Sequence, residues 1–68
     1  MENRLRHLRN EATLTQEQLA HRSGVTLRTI QRMERQDGSP SIDTAKALAD
    51  ALGLASIADL FVTDEVPA

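Results

Sequence analysis

The chain has 68 residues and a mass of 7.5 kDa, enough for one small domain whose folding hides only about 60% of the surface the unfolded chain exposes. With no Cys, Trp or Tyr and with Phe61 as the single aromatic, disulfide and thiolate-metal staples are excluded and a strand-rich fold is disfavoured. The net charge of −2 conceals a division: seven arginines against four acids leave +3 over Met1–Gln36, whereas Lys46 against six acids leaves −5 over Asp37–Ala68.

The first helix is expected over about Glu2 to Ala12, where Leu5, Leu8 and Ala12 recur on one stripe. The second starts after Thr15. Thr15 and Gln18 have the spacing of a capping box, Leu14 and Leu19 that of a hydrophobic staple, and Gly24 suits the left-handed position after Ser23. Thr26 caps the third helix and Val25 with Ile30 repeats the staple; the helix continues to about Arg35 with Ile30 and Met33 inward. The stretch from Gln36 to Pro40 has the composition of a loop.

Ser41 then caps a fourth helix with Asp43 in its first turn, apolar Ile42, Ala45, Leu48, Ala49 and Leu52, and Gly53 as terminator. Ser56, with Asp59 as capping-box partner, opens a short fifth helix carrying Ile57, Leu60 and Phe61. Residues 1–61 therefore read as one compact all-α domain of five helices and residues 62–68 as a frayed tail. No apolar run approaches a membrane span and no signal-like stretch follows Met1, so a soluble cytoplasmic protein is expected.

The join between the second and third helices carries the most information. Only Gly24 and Val25 separate the end of one from the cap of the next, and a connection that short sends the following helix off at a steep angle. The crossing requires a small side chain on the second helix, where Ala20 stands, and an apolar one from the third, supplied by Ile30. This is the pattern of a helix-turn-helix. On the third helix Arg28, Arg32 and Arg35 lie on the far side from Ile30 and Met33, with Gln31 beside them and no acid between. Like charges one turn apart destabilise an isolated helix, so an unrelieved arginine ridge points to an anionic groove. Arginine matches the acceptor pair of guanine and glutamine can read adenine.

Together these residues resemble the Cro/cI-type (lambda-repressor-like) helix-turn-helix regulators. The resemblance rests on Leu8-Arg9, Leu14-Thr15-Gln16-x-x-Leu19-Ala20, Gly24-Val25-Thr26, Ile30, Glu34, Pro40-Ser41, Ala49-x-x-Leu52-Gly53 and Leu60-Phe61, and covers residues 4–61. It implies a five-helix domain that binds operator DNA, usually as a two-fold dimer, with the third helix in the major groove. By the same resemblance Leu27, Arg28 and Arg32 touch base edges, flanked by Thr26 and Gln31. Gln16 contacts a phosphate, and Arg9 and Glu34 form an inner ion pair; Arg35, at the end of the ridge, is expected to contact a phosphate as well. The family commonly has Gly two residues after that Glu. Here Gln36 stands there, and the loop is expected to turn differently, leaving backbone phosphate contacts from residues 36–39 open.

One recognition helix covers few base pairs, so two copies about 34 Å apart are expected. The contact surface is placed on Ile57, Leu60, Phe61 and Val62, although Phe61 fits equally well in the core against Leu5 and Leu8. No cofactor is expected. His7 and Glu11 lie one turn apart but lack a third metal ligand, and no nucleophile–base pair or Gly-rich phosphate loop is present, so an enzyme is not expected. The competing role is that of an antitoxin or restriction–modification controller, in which binding a protein partner accompanies or replaces DNA binding. On the leading reading the protein is a repressor, nucleoid-associated when bound to its operator.

Overall fold

The computed structural model describes residues 3–61. Among them five helices follow in order: α1 (Leu5–Glu11), α2 (Gln16–Ser23), α3 (Leu27–Glu34), α4 (Ile42–Ala51) and α5 (Ala58–Phe61). The expected helical start at Glu2 and the frayed tail of residues 62–68 lie outside the described residues. No helix among the described residues is long and apolar enough to cross a membrane.

The core gathers Leu5, Leu19, Ile30, Met33, Ala45, Leu48 and Leu60 from all five helices. Burying each Leu or Ile side chain contributes about 1.5–3 kcal/mol relative to leaving it in water. Two apolar residues of the sequence pattern stand outside this core. Ala12 is exposed because α1 ends before it. Ile42, the first residue of α4, is 77% exposed because the core meets that helix only from Ala45 onward.

α1 begins at Leu5, and Asn3 organises its first turn. The Asn3 carboxamide oxygen accepts the Leu5 N–H at 3.0 Å, and its Nδ2 donates to the Met33 carbonyl at 3.0 Å. The Arg4 N–H donates to the Leu60 carbonyl at 2.8 Å, tying the start of α1 to α5. At the far end, Leu14 N–H reaches the Arg9 carbonyl and Thr13 N–H the Asn10 carbonyl, a Schellman closure with Thr13 at φ +57°.

α2 opens with the full capping box: Thr15 Oγ1 accepts from Gln18 N–H at 3.0 Å and Gln18 Oε1 accepts from Thr15 N–H at 2.8 Å. It ends on Gly24 at φ +77°, whose N–H donates to the Ala20 carbonyl. A Cβ there would meet nothing within 4 Å, so the dihedral angle alone demands glycine. Thr26 then caps α3, accepting from Thr29 N–H at 3.3 Å. Half-buried Ala20 packs against the core, and α2 lies against both α3 and α4.

The turn out of α3 is made at Gln36, where the family commonly has Gly. Gln36 takes the left-handed conformation itself, at φ +60°, and the Schellman bonds Gln36 N–H to Met33 carbonyl and Asp37 N–H to Arg32 carbonyl close the helix. Two side-chain bonds offset the strain. Gln36 Oε1 accepts from Asn3 N–H at 2.8 Å and its Nε2 donates to the Asn3 carbonyl at 3.0 Å.

Candidate nucleic-acid interface

α3 is divided lengthwise. Ile30, Met33 and Glu34 are buried, whereas Arg28, Gln31, Arg32 and Arg35 are exposed. The side chains of Arg28, Gln31 and Arg32 have no hydrogen-bond or ion-pair partner among the described residues. Arg35 approaches exposed Asp37 at 3.9 Å, a separation at which a solvated pair contributes little. Leu27 is half-buried. Thr26 is exposed, but its hydroxyl is committed to capping and to Thr29 Oγ1, to which it donates at 2.9 Å. A rod with an apolar underside and three unpartnered donor-rich side chains on top can offer bidentate contacts to a surface rich in acceptors.

Beneath this rod lies an ionic node. Arg9 Nε donates to Glu34 Oε2 at 2.6 Å and Nη2 to Oε1 at 3.1 Å, while its Nη1 reaches the Leu14 carbonyl at 2.8 Å. The Glu34 side chain is 1% exposed and that of Arg9 13%. Gln16, at the start of α2, donates its Nε2 to Glu34 Oε1 at 3.0 Å, and Arg6 Nε lies 3.5 Å from the same oxygen. Burial disfavours the Glu34 charge, but the hydrogen bonds from Arg9, Gln16 and Arg6 and the charge of Arg9 outweigh it and hold the carboxyl below the ordinary carboxylate range. The hydrogen bond to Glu34 raises Arg9 further above neutrality against the opposing effect of its own burial. The node joins α1, the turn after it, α2 and α3, so the orientation of the arginine rod is set by buried charge as well as by Ile30 and Met33.

The structure brings Arg9, Glu34 and Gln16 together and separates them from the outer face of Arg28, Gln31 and Arg32. Arg6 was not singled out by the sequence pattern, because an arginine on an amphipathic helix carries no signal until its neighbours in space are known. Leu60 is corrected. It is fully buried within its own chain and has no surface to give a second subunit. Ile57 and Phe61 are half-buried and pack on the same core, and Val62 lies outside the described residues. His7 and Glu11 form an exposed contact at 3.3 Å, and no group of three candidate metal ligands occurs among the described residues.

Comparison with known proteins agrees with this geometry. The profile of the helix-turn-helix family matches residues 5–60. An uncharacterized HTH-type transcriptional regulator of Methanothermobacter thermautotrophicus is 48% identical over 61 residues, covering 90% of this chain and 88% of its own. A second, from Sinorhizobium fredii, is 38% identical over 60 residues, 88% of this chain and 78% of its own. A third, from Archaeoglobus fulgidus, is 37% identical over 65 residues, 96% and 90% respectively. No solved structure matches the chain significantly.

Proposed function

The chain belongs to the Cro/cI-type helix-turn-helix family of DNA-binding transcriptional regulators, and from that premise we propose that it acts as a repressor that reads a palindromic operator as a dimer. In this reading α3 enters the major groove. Thr26, Leu27, Arg28, Gln31 and Arg32 face base edges, while Gln16 and Arg35 hold phosphates. Leu27 meets a thymine methyl or the sugar edge. The observation that carries the reading is the outer face of α3, where Arg28, Gln31 and Arg32 stand exposed without partners among the described residues while the opposite face is locked into the core.

The two-fold dimer rests on the short reach of one recognition helix and the need for half-sites about 34 Å apart. Half-buried Ile57 and Phe61 are the remaining described candidates for its contact surface. Selection from random-sequence duplex DNA tests the proposal in one experiment. The expected product is an enriched inverted repeat whose half-sites are one helical turn apart. Recovery of unenriched sequence overturns operator recognition, and a single unrepeated half-site overturns the dimer.

A further inference from the structure

Glu34 is already satisfied without Arg6. Arg9 grips the carboxylate through two bonds, of 2.6 and 3.1 Å, and Gln16 adds a third at 3.0 Å. Arg6 contributes one marginal contact, Nε to Oε1 at 3.5 Å, and its side chain remains 67% exposed. The node therefore holds two guanidinium charges against one carboxylate, and the surplus positive charge is the one at the surface. Neither terminal amino group of Arg6 has a partner among the described residues. Arg6 and Asn10, one turn further along α1, also line an open groove with Asn3, Arg4 and His7, the last of which contacts Glu11 at 3.3 Å.

We infer that Arg6 is a backbone-anchoring residue, holding a DNA phosphate beside the one that Gln16 contacts, with Glu34 setting the spacing of the two. The inference rests on the proposed DNA-binding reading and extends it from α3 and α2 to α1. Arg6 Nε and Gln16 Nε2 share Glu34 Oε1, so they stand no more than 6.5 Å apart, the sum of their distances to it. With Nε turned toward Glu34, the two terminal nitrogens of Arg6 are left for a phosphate, which guanidinium binds through paired donors. The buried carboxylate limits the rotamers of both side chains before DNA arrives, which reduces the ordering cost of the contact. Arg6 has no hydrogen bond or ion pair to Arg28, Gln31 or Arg32 among the described residues, and a phosphate contact carries no sequence information and acts on all duplexes alike.

The test measures binding of the full chain to a short mixed-sequence DNA duplex across a potassium chloride series, for the native protein, Arg6→Gln, Arg6→Lys and Gln16→Ala. Arg6→Gln is expected to weaken binding about threefold to tenfold at moderate salt and to flatten the log–log salt slope by about 0.9 for each copy bound. Arg6→Lys, which keeps the charge, restores the slope. Thermal unfolding of each variant is followed by circular dichroism, and unchanged melting of Arg6→Gln assigns its loss to the interface. A native slope in Arg6→Gln, while Gln16→Ala still weakens binding, overturns the role of Arg6 and leaves the DNA-binding reading standing. Absence of salt-dependent binding by the native protein overturns both. If Arg6→Gln melts early, its slope is read at a temperature where it is fully folded: a flattened slope there supports the anchor and a native slope overturns it.

Discussion

Arg9 and Glu34 meet side-on, Nε to Oε2 at 2.6 Å and Nη2 to Oε1 at 3.1 Å, with the carboxylate side chain 1% exposed and the guanidinium 13%. Charges this well buried are costly to strand singly. Glu34→Ala leaves Arg9 with only the Leu14 carbonyl and is expected to destabilise the fold by about 2–4 kcal/mol. Arg9→Ala is expected to cost more, because it leaves the buried anion with only Gln16 and the marginal Arg6 contact and frees that carbonyl as well. Urea unfolding followed by circular dichroism checks both values and their order. Equal, small losses would show that the node is solvated.

The same node gives stability a direction in pH. Glu34 ionises below the ordinary carboxylate range in the folded protein, whereas in the unfolded chain it titrates within that ordinary range. The unfolded state therefore takes up the proton first as pH falls. This contribution is complete above the unfolded value and is lost as pH falls through the depressed folded value. Urea midpoints measured from pH 7 down to strongly acid solution are expected to fall below the unfolded value, and Glu34→Gln is expected to flatten that fall. An identical acid profile in the variant would show that other carboxylates dominate.

Half-buried Ala20 of α2 packs against the core to which α3 contributes fully buried Ile30. Ala20→Leu adds three carbons where the two-residue turn leaves no room to part the helices. A loss of about 1–3 kcal/mol is expected, together with weaker DNA binding as α3 tilts. Retention of both stability and affinity would mean that the turn is looser than Gly24 implies.

On DNA the variants divide by what they touch. Arg28→Ala or Arg32→Ala is expected to cost about 1–3 kcal/mol on the selected operator and to relax preference at one base step. Gln16→Ala is expected to weaken operator and scrambled duplex by the same factor. For a dimer with a few phosphate contacts per subunit, the log–log salt slope is expected at roughly −4 to −8. A flat dependence would favour a protein partner in place of DNA. Fluorescence anisotropy on paired duplexes distinguishes these patterns.

The helix starts at Thr15, Thr26 and Ser41 and the stops at Gly24 and Gly53 were legible because capping is local: a hydroxyl bonds an N–H within one turn, and glycine marks a left-handed dihedral. The outer ridge of α3 was legible by helical periodicity. What was not legible depends on partners far along the chain. Asn3 is separated from Met33 by 30 positions and from Gln36 by 33, and nothing near Asn3 announces that it will start α1. Gln16 and Arg6 meet through Glu34, 18 and 28 positions away. Leu60 was misplaced for a related reason: the apolar side of a short terminal helix looks the same whether it covers its own core or a neighbour's.

Two helix ends carry a non-glycine residue in the left-handed region, Thr13 at φ +57° and Gln36 at φ +60°, and substitution is expected to move them in opposite directions. Thr13 is exposed and β-branched, and its side chain makes only a local hydroxyl bond to the Ala12 carbonyl. A left-handed conformation costs an ordinary side chain roughly 1–2 kcal/mol, partly offset in glycine by greater chain entropy. Thr13→Gly is therefore expected to stabilise the domain by about 0.5–1 kcal/mol. Gln36 gains the same relief on becoming glycine but loses both bonds to the Asn3 backbone, each contributing about 0.5–1.5 kcal/mol. Gln36→Gly is thus expected to be neutral to destabilising, by up to about 2 kcal/mol. Thermal melts of the two single variants and the double variant decide the matter. Stabilisation by both would mean that the Gln36–Asn3 bonds contribute nothing net, and that the start of α1 is held by Asn3 and the Leu60 carbonyl alone.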